Sequence, residues 1–160
     1  YFVEHVYQWG DTHIKNFGME RARHISPLAS TLEEGWRFTL HQDTPVLKPD
    51  MLHTVWCAVN RRTKAGELLG GEERVTPYEA LKAVTVNGAY QYFEEETKGS
   101  IREGKHADFV LLDKNPLQLH PEELKEIKVL QTIRDGQILY RKEERTDNHA
   151  AAGTLLGDLS

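Results

Sequence analysis

The pattern of the sequence changes at about residue 96, and this change limits the folds open to the chain. Up to Phe93, segments typical of strands alternate with segments typical of helices. From residue 99 to residue 142 the pattern is that of β-hairpins, with Asp135-Gly136 as a two-residue turn between strands. The sequence therefore predicts a first part that mixes helices and strands and a second part built of β-strands.

In the first part, β-branched and aromatic residues predict strands over residues 1–9 and 36–41. Helices are predicted over residues 16–23, 26–34 and 50–63 and from residue 76 onward. Ser26 is expected to cap the second of these, with Pro27 at the first helical position. Thr76 is expected to cap the last one, with Pro77 at its first position and Glu79 completing a capping box.

Composition excludes several classes of protein. The 160 residues are 39% hydrophobic and 28% charged, a globular balance, and the net charge is −5. Lysine and arginine form no basic stripe, so no nucleic-acid partner is expected. No apolar run approaches the roughly 18 residues of a membrane span. Cys57 is the single cysteine, which favours a reducing, cytoplasmic location.

The two ends of the chain also carry expectations. The sequence starts at Tyr1 without a methionine, in residues that look structured, so we expect a piece of a longer protein. Residues 143–160 are small and polar and show no periodicity, which predicts a flexible tail.

The stretch "WRFTLHQDTPV" places a histidine and an aspartate two residues apart at the end of a predicted strand. In a strand, Trp36, Phe38 and Leu40 point to one side. His41 and Asp43 point to the other. If helices cover the apolar side, the polar side faces an interior or a cavity. The pair could serve a turn before Pro45, an ion pair or a functional site, and the stretch alone leaves these alternatives open.

Several quoted segments together carry a family resemblance. "GSIREGKHADFVLLDKNP" resembles the C-terminal signature of the amidohydrolase superfamily, and "TPYEALKAVTVNGAY" is similar to the helix before it. "FTLHQDTPV" resembles the last barrel strand, and "HVYQWGDTH" and "MERARHISPLAS" resemble segments that precede it. The ordered set is similar to the amidohydrolase 3 branch, which includes N-substituted formamide deformylases and proteins described as exoenzyme regulators.

The resemblance implies an α/β fold, a TIM-like (α/β)8 barrel followed by a small β-sandwich. Residues 1–95 would hold about strands seven and eight with their helices, and residues 96–142 would hold part of the sandwich. It also implies hydrolysis of non-peptide C–N bonds in a small amide-type substrate, by water activated on a divalent metal, usually zinc. Asp43 matches the strand-eight aspartate that binds metal and accepts the proton of the attacking water. Gln42 and Thr44 stand where that stretch usually has serine and alanine.

The other metal ligands of that family are a His-x-His pair, a bridging lysine or acid and two further histidines, and none of their motifs is present. The chain alone is therefore expected to be inactive. Unpaired barrel edges predict self-association or pairing with the remainder of a parent chain. A non-catalytic regulatory or interaction protein on the same scaffold is the alternative.

Four further residues are weaker candidates for substrate contact. His41 could orient Asp43 or touch substrate, or it could be an ordinary interior histidine. His5 lies in the first predicted strand, and Asp11 and His13 follow it in a predicted loop; a structural role or a solvated loop is the alternative for each. The remaining histidines show no spacing typical of metal ligands and are interpreted as surface or structural residues.

Overall fold

The computed structural model describes residues 1–143, which form a helical part followed by one small sheet. The helices are α1 His5–Phe17, α2 Met19–Ala22, α3 Leu28–Glu33, α4 Met51–Asn60, α5 Pro77–Ala83 and α6 Val86–Gln91, with 3-10 helices at Gly71–Glu73 and Pro121–Glu126. The strands are β1 Phe109–Leu112, β2 Val129–Arg134 and β3 Gln137–Arg141. Residues 144–160, most of the predicted flexible tail, lie outside the described residues.

The predicted strand over residues 1–9 is wrong, because most of it belongs to helix α1. Val3, Val6 and Gly10 are buried, and their spacing of three and four residues is that of one helix face. Gly10, interpreted as the end of a strand, lies inside the helix. A Cβ there would come within 2.7 Å of Thr63 Cγ2, so the glycine permits close packing. Tertiary packing overrides the strand propensity of this segment.

The predicted strand over residues 36–41 is an extended segment that belongs to no sheet within the described part of the chain. Isolated hydrogen bonds to other segments, instead of the ladder of a sheet, hold this segment. Leu40 N donates to Ala83 O over 3.4 Å, and His41 N donates to Tyr1 O over 3.1 Å. The predicted alternation holds at Phe38 and Leu40, which are buried, and at His41, which is exposed. It is wrong at Trp36, which is 69% exposed because no described residue covers this end of the segment.

Helix α4 is the centre of the hydrophobic core. It begins at the predicted place, where Asp50 Oδ1 accepts a hydrogen bond from His53 N over 3.0 Å. Its interior residues from 54 to 60 are all buried. The core residues that surround it come from segments before and after it but not from the three strands: Val3, Val6, Leu28, Phe38, Leu40, Leu69, Val75, Ala80, Leu124 and Ile127.

The predicted helix caps are partly correct. Thr76 Oγ1 accepts from Glu79 N, but the Glu79 carboxylate pairs with Lys82 Nζ at 2.8 Å, so only half of the capping box forms. Ser26 does not cap α3, where Pro27 is the N-cap residue. The last predicted helix divides into α5 and α6 at Thr85, whose hydroxyl donates to Leu81 O over 2.7 Å.

Arg61 ends α4 and is completely buried. Its φ of 50° terminates the helix, and its guanidinium donates to three backbone carbonyl oxygens, those of Ile25, Ser26 and Leu69, over 2.6 to 2.9 Å. Burial lowers the pKa of Arg61 to about 10, which leaves it charged at neutral pH. This cation therefore fixes the connection before α3 to the loop after α4.

The second part contains the predicted hairpin. Strands β1, β2 and β3 pair antiparallel in that order, and β2 and β3 are joined at Asp135 and Gly136, with φ of 47° and 76°. These values fit the predicted two-residue turn. Asp135 N donates to Asp108 Oδ1 over 2.8 Å, which fixes the turn to the segment before β1. None of the helices in residues 1–143 is both long and apolar enough to cross a membrane.

Two glycines of the loop between α4 and α5 provide a test of this packing. Gly66 and Gly70 both have positive φ, but only at Gly70 would a Cβ overlap the carbonyl oxygen of Arg23. Gly66→Ala should cost about 1 kcal/mol through backbone strain alone, and Gly70→Ala should cost more than about 2 kcal/mol. Chemical denaturation of the two variants measures the difference, and equal losses would contradict the described packing.

Candidate functional site

Asp43 lies in a tight turn, and the backbone closes that turn. Its carbonyl oxygen accepts from Val46 N over 2.8 Å, and its φ of 53° is one that aspartate tolerates. Within residues 1–143 its carboxylate makes no side-chain hydrogen bond or ion pair, and the residue is exposed. The turn interpretation is thus correct for the backbone, while the carboxylate stays available for another role.

His41 shares the exposed side of the extended segment with Asp43. The two residues do not face an interior of the described chain, contrary to the prediction from strand parity. The His41 ring stacks on Phe2, with the ring centroids 5.5 Å apart. The same Phe2 ring stacks on His5 at 6.0 Å. An aromatic side chain therefore brings two of the predicted site histidines together.

His5 and His13 lie on one helix and in contact, not on a strand and in a loop as predicted. They are eight residues apart in α1, and their ring centroids are separated by 5.5 Å. His5 Nε2 forms a 3.0 Å hydrogen bond with the hydroxyl of Ser26, whose backbone Arg61 holds. Burial, with smaller contributions from the nearby His13 and Arg61, lowers the pKa of His5 to about 4.

Asp11 points to a different part of the molecule. It lies in α1 rather than in a loop, and its Oδ2 accepts from Ala65 N over 3.2 Å. This bond ties α1 to the loop after α4, so the structure gives Asp11 a local structural role. The structure therefore brings His5 and His41 together on Phe2, with His13 against His5, but does not bring Asp11 to them.

A buried polar network beside Asp43 was missed by the sequence reasoning. Glu4 is 3% exposed, and its Oε1 accepts from Gln42 Nε2 over 2.9 Å and from Thr54 Oγ1 over 2.5 Å. His53 Nδ1, interpreted from sequence as surface or structural, lies 3.1 Å from Glu4 Oε2. The parity of the segment already indicated a buried residue 42, but nothing in the sequence indicated its partner.

The electrostatics of Glu4 follow from this network. Burial acts to raise its pKa, but the hydrogen bonds from His53, Gln42 and Thr54 outweigh that effect and leave the pKa below its ordinary value. A buried carboxylate is stable as an anion only when donors replace its water shell, as they do here.

The described residues do not supply a complete set of ligands for a divalent metal. No group of three or more histidine, cysteine, aspartate or glutamate side chains in residues 1–143 could hold a metal ion. The Asp43 carboxylate supplies an oxygen of the kind that zinc accepts, and it is exposed. Asp43 thus fits as one ligand, and a complete site needs ligands beyond the described residues.

Comparison with known proteins decides the family. Residues 3–140 match the amidohydrolase family. The chain belongs to this family, in the amidohydrolase 3 branch. It is 35% identical over 142 residues to the N-substituted formamide deformylase of Arthrobacter pascens, an alignment that covers 86% of the chain and 26% of that protein. The chain spans about a quarter of the length of the curated relatives it matches.

Solved structures agree on the fold. The chain resembles an amidohydrolase from Thermotoga maritima with a TM-score of 0.55 at 24% identity, covering 72% of this chain and 26% of that one. It resembles E. coli guanine deaminase with a TM-score of 0.57 at 20% identity, covering 76% and 33%. These likenesses are consistent with an α/β amidohydrolase fold.

The depressed pKa of His5 predicts a pH dependence of stability. The unfolded side chain takes up a proton near pH 6.5 and the folded one only near pH 4. Between these values the unfolded state binds more protons, so stability should fall as the pH drops through this window. His5→Gln should flatten the pH dependence of the unfolding midpoint, whereas His24→Gln, at an exposed histidine, should not. An unchanged dependence in His5→Gln would contradict the buried environment.

Proposed function

We propose that this chain is the C-terminal segment of a metal-dependent amidohydrolase, in which Asp43 is a metal ligand and the proton acceptor. The substrate class is a small molecule with a non-peptide C–N bond of the amide type. The observation that carries the proposal is the family match over residues 3–140, which includes the aspartate turn. The exposed carboxylate with no other partner in residues 1–143 supports it.

The chemistry follows from what a carboxylate can do beside a cation. When bound, a divalent metal, most simply zinc, polarises the substrate carbonyl and lowers the pKa of water to about 7. The Asp43 carboxylate accepts the proton that this water loses during attack. It then gives the proton to the nitrogen of the leaving amine, which departs neutral. His41, on the same side of the segment, and His5, across Phe2, are placed to contact substrate or to orient it.

The remainder of a parent chain completes this arrangement. We propose that residues 1–95 form part of the catalytic barrel and residues 96–142 part of a β-sandwich. Within residues 1–143, the extended segment before Asp43 makes few backbone hydrogen bonds, and a neighbouring segment of the parent would pair its remaining groups. Self-association is the other way to cover these groups. The proposed location of the protein is the cytoplasm.

The role of Asp43 is tested in the full-length polypeptide that carries this chain. Asp43→Asn should lower kcat/KM on N-substituted formamides or related amides by about a thousandfold, because it removes both a ligand and a proton acceptor. Asp135→Asn is a matched control, since Asp135 is also exposed and also has positive φ. It should retain wild-type turnover and metal content. Equal activity of Asp43→Asn and the wild type would overturn the proposal.

The isolated chain gives a second test. No group of three or more histidine, cysteine, aspartate or glutamate side chains in residues 1–143 could hold a metal ion, and one carboxylate does not hold zinc tightly against water. The isolated chain should therefore bind zinc weakly and turn over no amide. Equilibrium dialysis and an amidase assay measure both properties. Stoichiometric tight zinc, or turnover by this chain alone, would contradict the proposal that the other ligands lie elsewhere in the parent. A parent without His-x-His on its first barrel strand would instead favour a non-catalytic regulator.

A further inference from the structure

Gln42 directly precedes Asp43, but its side chain points the opposite way, into the protein. It is 4% exposed, whereas Asp43 is exposed. An amide at such a position must find partners for both its NH2 group and its oxygen, because burying either without a partner is costly.

Both ends of the Gln42 amide are bound, and each partner stands at the beginning of a helix. Gln42 Nε2 donates to Oε1 of Glu4, the residue before α1, over 2.9 Å. Gln42 Oε1 accepts from N of Asp50, the residue before α4, over 2.8 Å. One side chain therefore bridges the first turns of two helices, and its second bond closes the loop that runs from Asp43 to Asp50.

Glu4 is itself held in place, so it is a rigid anchor for this bridge. Thr54 donates to it over 2.5 Å from within α4, and His53 Nδ1 lies 3.1 Å away. Its carboxylate has almost no contact with solvent. Moving Gln42 would leave a buried carboxylate oxygen with fewer donors, which opposes any displacement of the segment.

We infer that the buried pair Glu4 and Gln42 is a positioning device that fixes the backbone from which Asp43 projects. The inference rests on the proposed function, in which Asp43 binds a metal. Gln42 fixes the chain on one side of Asp43, and the hydrogen bond from Val46 N to Asp43 O fixes it on the other. The backbone at Asp43 is thereby held in one conformation, with the side chain directed outward, before any ligand binds, which reduces the cost of organising a site.

The test measures metal affinity rather than turnover, in the full-length polypeptide, by competition between zinc and a chromophoric chelator. Gln42→Met has a similar volume and removes both hydrogen bonds; it should weaken zinc binding about tenfold. Asn60→Leu is the matched control. Like Gln42, Asn60 is a buried amide with two hydrogen-bond partners, in this case Trp56 O and Pro121 O. It lies at the far end of α4. The Asn60→Leu variant should have a lower free energy of unfolding and an unchanged affinity for zinc.

Two more variants keep the inference falsifiable. If Gln42→Met does not fold, Gln42→Asn replaces it, because its amide is one methylene too short to reach both partners. The double variant Glu4→Gln, Gln42→Glu swaps the two side chains and so restores one donor and one acceptor between the two positions. It should recover most of the affinity that Gln42→Glu alone loses, because two carboxylates facing each other are repulsive. No recovery in the exchanged protein would count against the pair.

The outcomes separate the inference from the proposed function. If Asp43→Asn leaves zinc affinity unchanged, the proposed function fails. If Asp43→Asn weakens binding but Gln42→Met and Asn60→Leu have equal effects, the proposed function stands and the positioning role is refuted. A loss confined to Asp43→Asn and the variants at Gln42 supports both.

Discussion

The fold depends on one buried cation. The guanidinium of Arg61 has no contact with solvent and binds three backbone carbonyl oxygens from two distant segments. Burying a charge is expensive unless donors and acceptors are matched, so these segments have little freedom to move independently. Glu73, also buried, accepts from the backbone and the hydroxyl of Ser30 and adds a nearby negative charge. Through Ser26, the same cation sets the environment of His5.

Helix α4 carries this constraint to the opposite end of the core. Arg61 ends the helix. The first turn of the helix supplies Thr54 and His53 to the Glu4 carboxylate. The apolar residues between these ends are completely buried against the rest of the core. One anionic and one cationic group, each buried and each paired, thus fix both ends of the central helix. The candidate site residues lie around its N-terminal end and along α1.

Local chemistry made parts of the fold predictable, and long-range contacts made the rest unpredictable. The Asp135-Gly136 turn and the Thr76 cap depend on neighbouring residues, so the sequence displays them directly. The composition of the first nine residues favours a strand, but burial of Val3 and Val6 in the core accompanies a helix over most of them. Gln42 and Glu4 are 38 residues apart, and no sequence pattern links them. The metal role of Asp43 stays a prediction from the family resemblance, because residues 1–143 contain no group of three or more histidine, cysteine, aspartate or glutamate side chains that could hold a metal ion.

The central claim is that the Asp43 carboxylate binds a metal whose other ligands come from elsewhere in the parent protein. Anomalous X-ray diffraction at the zinc edge, on crystals of the full-length polypeptide, tests it directly. We predict a single strong peak with an Asp43 carboxylate oxygen about 2.0 to 2.2 Å from the metal. A fully coordinated metal with Asp43 well outside ligand distance would contradict the account.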